Sequence, residues 1–164
     1  MPRSATRRAG EAAKIKFLDR YLPYLLGHAS FAMNKDFDRY VGLSGISPLE
    51  WRVLATLCDD EALTIGDLAR KVVAQQPTLT KAIKRMAEAG LVRRGSDDAD
   101  LRRTMVSVTP VGRALAEKLI RRALEHEEQW LKGVTKEDAE IVRRVLQLII
   151  ERRRSPLPYL DDQP

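Results

Sequence analysis

Residues 77–94, PTLTKAIKRMAEAGLVRR, contain the signals on which the fold prediction rests. Pro77 suits the first turn of a helix, and Gly90 supplies the left-handed residue that commonly closes one. Between them the apolar residues recur at helical spacing and form one stripe, namely Leu79, Ala82, Ile83 and Met86. After Gly90 the period becomes strand-like. The stretch therefore predicts a helix that closes at Gly90 and is followed at once by a β-strand.

A second short helix is predicted immediately before this one. Thr64-Ile65-Gly66-Asp67 combines a threonine cap with an acidic residue three positions later, which together satisfy exposed amides at a helix start. The predicted helix runs from Ile65 to about Val72. Two short helices separated by a tight turn are typical of a helix-turn-helix.

The region after Gly90 predicts an antiparallel hairpin followed by two helices. β-suited runs at 91–94 and 104–108 flank a stretch rich in Gly, Ser and Asp. Thr109-Pro110 then caps a helix whose apolar pattern continues until it breaks near Gly133. The pattern restarts after Thr135, which indicates the last helix.

Two more helices are predicted on the N-terminal side. The first extends from about Leu22 to Tyr40 and is ended by Gly42. The second begins at Ser47-Pro48-Leu49-Glu50, where a serine cap, a proline and a glutamate three residues after the cap coincide, and runs to about Cys58. The expected fold class is mainly α with a small β-hairpin wing: a winged helix-turn-helix with flanking N- and C-terminal helices. These flanking helices carry more apolar surface than so small a body can cover, which favours a homodimer.

The distribution of charge indicates a polyanionic partner. The chain has 164 residues, the size of one domain or of one domain plus an oligomerisation element, and a net charge of +6. Residues 1–16 carry five Lys or Arg and one Glu, and residues 64–110 carry nine Lys or Arg and five Asp or Glu. Such basic segments are typical of nucleic-acid binding. The alternative is an ordinary solvated basic surface.

Composition also disfavours several classes of protein. No apolar run reaches the roughly 18 residues of a membrane span and no secretory-type stretch is present, so we expect a cytoplasmic protein without membrane contact. The one cysteine, Cys58, excludes an internal disulfide, and His28 and His126 are too far apart to indicate a metal site. No nucleophile elbow, phosphate loop or acid/base pair is recognisable, so we expect neither an enzyme nor a cofactor.

The order of elements and the residues that mark it resemble the MarR family of bacterial winged helix-turn-helix regulators over about residues 20–153. The most specific pieces are Pro77-Thr78-Leu79-Thr80-Lys81, Gly90-Leu91-Val92-Arg93-Arg94 and Asp100-x-Arg102-x-x-x-Val106-x-Val108-Thr109, and Glu50-Trp51-Arg52-Val53-Leu54 is similar to the family's second helix. The resemblance implies a dimeric regulator that binds double-stranded DNA and a small-molecule effector. It divides the chain into a basic arm (1–16), an N-terminal dimerisation region (17–46), the winged helix-turn-helix domain (47–110), C-terminal dimerisation helices (111–154) and an irregular tail (155–164).

The resemblance makes the helix that starts near Pro77 the recognition helix. With its apolar stripe facing the core, a helical projection places hydroxyl and cationic side chains on the opposite face. The expected DNA contacts here are Gln75, Gln76, Pro77, Thr78, Thr80, Lys81, Lys84 and Arg85. In the family, a wing arginine held by an aspartate enters the minor groove; Arg102 matches the arginine, Asp100 matches the aspartate, and Arg103 follows. Solvated side chains and an ordinary surface hairpin are the alternatives.

Relatives bind aromatic or phenolic effectors between the dimer helices and the winged domain. The residues expected to line such a cavity are Tyr24, His28, Phe31, Trp51 and Arg52, with His28 or Arg52 facing a carboxylate. Core packing is the alternative role for the aromatic residues, and a structural role is the alternative for His28. Some relatives sense oxidants through a cysteine, but Asp59 and Asp60 beside Cys58 would raise a thiol pKa, which disfavours that role here.

These features predict a ligand-responsive dimeric repressor of a near-palindromic operator, released by a small aromatic acid, a phenol or an aromatic acyl-CoA. The expected contributors to the dimer interface are Leu18, Leu22, Val145, Leu148 and Ile149. The alternative is a winged-helix protein–protein adaptor without specific DNA binding. Such an adaptor would need neither a cationic recognition helix nor the Asp100 and Arg102 wing.

Overall fold

The computed structural model describes residues 16–60, 62–96 and 104–152 of the chain. Its helices are α1 (Leu22–Leu43), α2 (Pro48–Asp59), α3 (Ile65–Lys71), α4 (Gln76–Glu88), α5 (Pro110–Trp130) and α6 (Lys136–Arg152). Its strands are β1 (Leu63–Thr64), β2 (Val92–Ser96) and β3 (Thr104–Val108), and a short 3-10 helix, Phe17–Asp19, precedes α1. The strands form an antiparallel sheet in the order β1-β3-β2. The predicted fold class, mainly α with a small β wing, is confirmed.

Helix starts follow the capping signals in the sequence. At α2 the Ser47 hydroxyl accepts the Glu50 backbone N–H at 3.3 Å, while the Glu50 carboxylate accepts the Ser47 backbone N–H at 2.7 Å, so the predicted capping box is formed. The Thr64 hydroxyl caps α3 by accepting the Asp67 N–H at 3.1 Å, and Thr109 caps α5 in the same way. Each cap satisfies an amide that the helix itself leaves without an acceptor.

The predicted end of α1 is wrong. The helix continues past Tyr40 and through Gly42 to Leu43, and it ends where Gly45 adopts a left-handed backbone with a φ of +79°. Gly45 donates its N–H to the Gly42 carbonyl at 3.0 Å. Gly42 is therefore an ordinary helical residue and Gly45 is the terminator. Both glycines fit the closing position by sequence, and only the backbone conformation distinguishes them.

The hairpin is confirmed, although its first strand begins one residue later than predicted. β2 pairs with β3 from Val92 opposite Val108 to Ser96 opposite Thr104. Leu91 directly precedes the strand, and its carbonyl accepts the Thr109 backbone N–H at 3.1 Å. Residues 97–103, which join the two strands, lie outside the described residues.

Strand β1 is absent from the sequence-based prediction. It pairs with the other edge of β3, where Leu63 lies opposite Val106 and Thr64 lies opposite Met105. Thr64 is both the last residue of β1 and the cap of α3. Two residues are too few to show an alternating apolar pattern, so no periodicity could have revealed this strand.

The five helices from α1 through α5 and the sheet share one apolar core. Its largest fully buried side chains are Leu54, Leu57, Leu68, Leu79, Ile83, Met86, Leu119, Val41, Val53 and Val106. The apolar stripe predicted on α4 is buried, as expected. Among the described residues, Glu50 is the one buried charged side chain. A carboxylate in this position is costly unless it is paired and hydrogen-bonded.

The start of α5 packs directly on the backbone that precedes β2. A Cβ atom on Gly112 would lie 2.0 Å from the Leu91 carbonyl oxygen and 3.0 Å from a methyl group of Val108. The Thr109 hydroxyl fastens the same junction, since it donates to the Gly90 carbonyl at 2.6 Å and accepts the Gly112 N–H at 3.0 Å. Only glycine fits this contact without a displacement of the backbone.

The turn between α3 and α4 holds Val73 in the left-handed region, with a φ of 53°. Val73 follows the C-cap of α3 in a Schellman motif, in which the Ala74 N–H donates to the Ala69 carbonyl at 3.0 Å. The equivalent positions after α1 and α4 are glycines, Gly45 and Gly90. A β-branched residue is strained in this conformation because its Cβ crowds the adjacent backbone.

Val73→Gly is therefore expected to stabilise the protein by about 1 kcal/mol, because glycine adopts the left-handed conformation without this crowding. Val73 is 62% exposed, so its removal forfeits little apolar burial. Val111→Gly is the matched control, since Val111 is 64% exposed but lies in the helical backbone of α5. Glycine should give no such gain there, because its helix propensity is lower than that of valine. Urea denaturation measures both changes, and a less stable Val73→Gly variant would contradict the strain.

The terminal helices expose an apolar surface that their own chain leaves uncovered. No residue of α6 is buried, and Ile141, Val145, Leu148 and Ile149 are each between 41% and 51% exposed. Phe17, Leu18, Leu22 and Leu25 are similarly exposed at the other end of the chain. Monomeric proteins rarely leave such patches open. The predicted tail, and the predicted arm apart from Lys16, lie outside the described residues.

None of the helices in the described ranges combines the length and the apolar character that crossing a membrane requires.

Candidate DNA-binding surface and effector site

The outward face of α4 carries the side chains that the sequence assigned to DNA. Its inward face is buried at Leu79, Ala82, Ile83 and Met86. The eight predicted DNA contacts are all exposed, namely Gln75, Gln76, Pro77, Thr78, Thr80, Lys81, Lys84 and Arg85. The Thr80 hydroxyl donates to the Gln76 carbonyl at 2.9 Å, which leaves its oxygen lone pairs free to accept. The face therefore offers hydroxyls, amides and three cations to a groove of DNA.

The N-terminus of α4 differs from those of its neighbours. The side chain of its N-cap residue, Gln75, makes no capping hydrogen bond, whereas side chains cap α2, α3 and α5. First-turn amides are consequently left to solvent or to a ligand, and the helix dipole adds partial positive charge at this end. Both features favour a nearby phosphate oxygen.

Arg85 has a partner that the sequence did not indicate. Its Nη2 donates to Oε1 of Glu50 at 3.1 Å, which links α4 to the first turn of α2 across 35 positions of sequence. The Arg85 side chain is 65% exposed, while that of Glu50 is 10% exposed. The ion pair therefore lies at the edge of the buried core, with the guanidinium on the outside.

The wing is described only at its base. Arg93 of β2 donates from Nε to the Ser107 hydroxyl of β3 at 2.8 Å, so a cross-strand hydrogen bond stiffens the hairpin on its exposed side. The residues predicted to enter the minor groove, Asp100, Arg102 and Arg103, lie outside the described residues. Their roles stay predictions.

The predicted effector residues fall into two groups. On α1, the rings of Tyr24 and His28 contact each other, with centroids 4.2 Å apart, and Phe31 is 70% exposed. Phe31 lines a groove of about 430 Å³ together with Gly27, Ser30, Asn34, Lys35 and Asp38. All of these lining residues belong to α1, so one helix supplies a single wall. Arg52 is exposed on α2.

Trp51, the remaining predicted residue, belongs to an aromatic cluster where α1, α2 and α5 meet. The aromatic cluster comprises Phe37, Tyr40, Trp51, His126 and Trp130. Phe37 is at its centre, with ring centroids 5.6 Å from Trp51 and 5.5 Å from His126. Trp130 donates its indole N–H to Nε2 of His126 at 3.1 Å. Within the described residues, no ring contact joins this cluster to Tyr24 or His28.

Sequence reasoning missed four of the five members of this cluster. Tyr40 was named only as the end of the first helix, and His126 was considered only as a metal ligand. The four-residue spacing of His126 and Trp130 does place both on one face of α5, which is the signal that could have paired them. Nothing in the sequence shows that this face meets Phe37.

Comparison with known proteins assigns the family. A family model for the MarR family matches residues 44–103. The transcriptional activatory protein BadR of Rhodopseudomonas palustris is 32% identical over 120 residues, which cover 71% of this chain and 67% of BadR. A crystal structure of a MarR family transcriptional regulator from Silicibacter pomeroyi DSS-3 is 33% identical with a TM-score of 0.71, and the match covers 82% of this chain and 99% of that one. This chain belongs to the MarR family.

Two further proteins are similar to this chain. The transcriptional repressor IacR of Pseudomonas putida is 26% identical over 126 residues, which cover 77% of this chain and 75% of IacR. CouR from Rhodococcus jostii RHA1, whose crystal structure contains p-coumaroyl-CoA, matches with a TM-score of 0.74 over 83% of this chain and 96% of CouR. At 20% identity, CouR shares the fold alone.

Membership of the MarR family confirms the predicted class of protein. MarR regulators bind double-stranded DNA and small-molecule effectors and act as dimers. The chain is thus a DNA-binding transcriptional regulator and not an enzyme. Within the described part of the chain, no group of three His, Cys, Asp or Glu side chains is placed to hold a metal ion.

The surroundings of Cys58 disfavour a reactive thiolate. Burial raises the pKa of its thiol, Arg113 opposes the rise, and Asp59 adds to it. The sequence-based account, which named Asp59 and Asp60, therefore omitted the largest cause. Asp60 instead forms a salt bridge with Lys71 at 2.8 Å. A raised pKa keeps the thiol protonated at neutral pH, whereas reactive cysteines require the thiolate.

Proposed function

We propose that this MarR protein is a homodimeric repressor that inserts its two α4 helices into successive major grooves of a near-palindromic operator. The observation that carries the proposal is the two-sided character of α4. One side is buried in the core, and the other exposes Lys81, Lys84 and Arg85 beside hydroxyl and amide groups. A rigidly seated helix with a cationic outer face suits a major groove. Such a repressor acts in the cytoplasm.

The dimer in this proposal forms through the terminal helices. The N-terminal region (17–46) and the C-terminal helices (111–154) supply the interface, and residues 47–110 form the DNA-binding domain. The exposed apolar side chains of α6 and those around the start of α1 support this division. Twofold symmetry would then place two recognition helices about one turn of DNA, roughly 34 Å, apart.

The effector in this proposal is a small aromatic acid, a phenol or an aromatic acyl-CoA. The aromatic cluster and the α1 groove offer aromatic surface beside polar groups, as ligand sites commonly do. The ligand reported for CouR is of this chemical type. Binding between the dimer helices and the winged domain would favour a dimer geometry whose α4 helices no longer fit two successive grooves.

Fluorescence anisotropy on the DNA upstream of the chain's own gene tests the DNA-binding part. A scrambled duplex of equal composition is the control, and two salt concentrations give the number of neutralised phosphates. We expect sequence-specific binding, a steep salt dependence and two protomers for each site. Equal, weak binding to both duplexes in a protein of confirmed fold would favour the adaptor alternative.

The same assay identifies the effector and the direction of its action. Hydroxybenzoates, hydroxycinnamates and their acyl-CoA thioesters are titrated into the preformed complex, with octanoate as a non-aromatic control. A fall in anisotropy with the aromatic compounds alone is expected for a repressor released by its ligand. Because IacR is a repressor and BadR an activatory protein, a promoter fusion measured with and without the effector decides the sign of regulation.

A further inference from the structure

The two oxygens of the Glu50 carboxylate have different partners. Oε2 accepts the Ser47 backbone N–H at 2.7 Å and the Ser47 hydroxyl at 2.9 Å, which completes the cap of α2. Oε1 accepts from Nη2 of Arg85 at 3.1 Å. One largely buried side chain thus joins the N-terminus of α2 to the outer face of α4.

Arg85 is held by one nitrogen only. Its Nε and Nη1 have no hydrogen-bonding partner within the described residues, and its side chain is 65% exposed. A guanidinium is planar, with donors in a fixed fork, so fixing Nη2 restricts the direction of the other N–H groups. A cation fixed in this way loses less conformational freedom when it meets an anion than a freely rotating side chain would.

We propose that Glu50 is a positioning residue for operator binding, which orients the Arg85 guanidinium so that its remaining donors meet a DNA phosphate. The proposal rests on the proposed role of α4 as the recognition helix. Glu50 itself does not touch the DNA. It acts through Arg85, and its cap of α2 gives the carboxylate a fixed place from which to do so.

The proposal predicts that removing the negative charge of Glu50 lowers the affinity for DNA, whereas simple electrostatics predicts that it raises this affinity. A carboxylate near a polyanion repels it, so removing the negative charge of Glu50 should by itself strengthen DNA binding. If Glu50 positions Arg85, removing the charge weakens binding instead. A pair that only stabilises the fold would leave the affinity of the folded protein unchanged or slightly raised.

Glu50→Gln separates the two functions of this side chain. Glutamine supports a capping box as glutamate does, because its amide oxygen accepts the Ser47 groups. Its NH₂ group then faces Arg85, where two donors meet and no hydrogen bond forms. Operator affinity is expected to fall about tenfold. The slope of log affinity against log salt concentration, the salt slope, should stay close to that of the parent protein because Arg85 keeps its charge.

Arg85→Ala provides the second arm of the experiment. The affinity should fall to a similar extent, and the salt slope should decrease by about one for each protomer because a phosphate contact is lost. In the double variant, Glu50→Gln should cost little beyond Arg85→Ala, since residues that act as a unit are not additive. Full additivity in this cycle would overturn the proposal.

Two controls make the result interpretable. Ser47→Ala weakens the cap but keeps the Oε1 contact with Arg85, so it should lower the thermal midpoint without a tenfold loss of affinity. Arg85→Lys keeps the positive charge but loses the planar fork of guanidinium donors. Because position 85 is exposed, this variant tests whether the orientation of the donors matters even if Glu50→Gln does not fold. Its expected result is a similar loss of affinity at an unchanged salt slope.

Lys81→Ala distinguishes failure of this inference from failure of the proposed function. Lys81 is exposed on the same face of α4. If neither Lys81→Ala nor Arg85→Ala changes operator binding, α4 is not the recognition helix and both proposals are wrong. If both weaken binding while Glu50→Gln leaves it unchanged or strengthens it, the recognition helix stands and the positioning role is overturned.

Discussion

Gly112→Ala is expected to destabilise the protein by about 3 kcal/mol or more, beyond the usual range for an added methyl group because the obstacle is backbone. The new Cβ would lie 2.0 Å from the Leu91 carbonyl oxygen and 2.9 Å from the Leu91 carbonyl carbon. That carbonyl cannot turn aside, since it accepts both the backbone N–H and the hydroxyl of Thr109, each at 3.1 Å. Urea denaturation followed by circular dichroism measures the loss.

Gly42→Ala is the matched control for this substitution. Gly42 also lies in a helix, but nothing stands within 4 Å of an added Cβ. Alanine is the better helix former, so this variant should gain about 0.5 to 1 kcal/mol. The two Gly-to-Ala changes should therefore have opposite signs. Equal stability of Gly112→Ala and the parent protein would show that α5 does not approach Leu91 as closely as described.

Leu148→Asp is expected to convert the dimer into monomers. Leu148 is 51% exposed in the single chain and shares a face of α6 with Ile141 and Val145. On the opposite side of α6, Arg143 forms an ion pair with Glu127 of α5 at 3.2 Å. A buried, unpaired carboxylate in the dimer interface is far costlier than a solvated one, so the equilibrium moves to the monomer.

Operator binding should fall with the loss of the dimer. Two linked recognition helices reinforce each other by an effective concentration that a monomer lacks, so a loss of at least about a hundredfold is expected. Sedimentation velocity gives the oligomeric state, and anisotropy gives the affinity. Gln147→Asp adds the same charge one position away and should remain dimeric. A dimeric Leu148→Asp variant would place the interface elsewhere and contradict the proposed role of α6.

Features encoded by neighbouring residues were predictable from the sequence. The caps at Ser47, Thr64 and Thr109 depend on groups three positions apart, and each is formed as expected. The stripe on α4 follows from the helical period alone, which is why its buried side and its exposed side were both correct. Local signals were sufficient to order the helices and to locate the helix-turn-helix.

Features that depend on tertiary contacts were not predictable in the same way. The sequence placed Arg85 on the outer face of α4, but its contact with Glu50 depends on how α2 crosses that helix. The absolute need for glycine at position 112 arises from a carbonyl 21 positions earlier in the chain, at Leu91. No periodicity carries such information, because it resides in the packing of elements that are distant in sequence.

The candidate effector residues show the same limit. Tyr24 and His28 share a face of α1 because they are four positions apart, and they do contact each other. Trp51 was grouped with them on the basis of resemblance, whereas its ring meets Phe37 in the aromatic cluster. Helical spacing identifies neighbours on one helix, but it does not show which second helix they face.

The aromatic cluster gives the protein a built-in optical reporter. The chain has two tryptophans, Trp51 and Trp130, and both belong to the cluster, on either side of Phe37 and His126. Neither lies on α4 or in the hairpin. The tryptophan emission of unlabelled protein therefore originates at the junction of α1, α2 and α5. Any spectral change on adding operator DNA would consequently report a signal received at that junction from the DNA-binding surface.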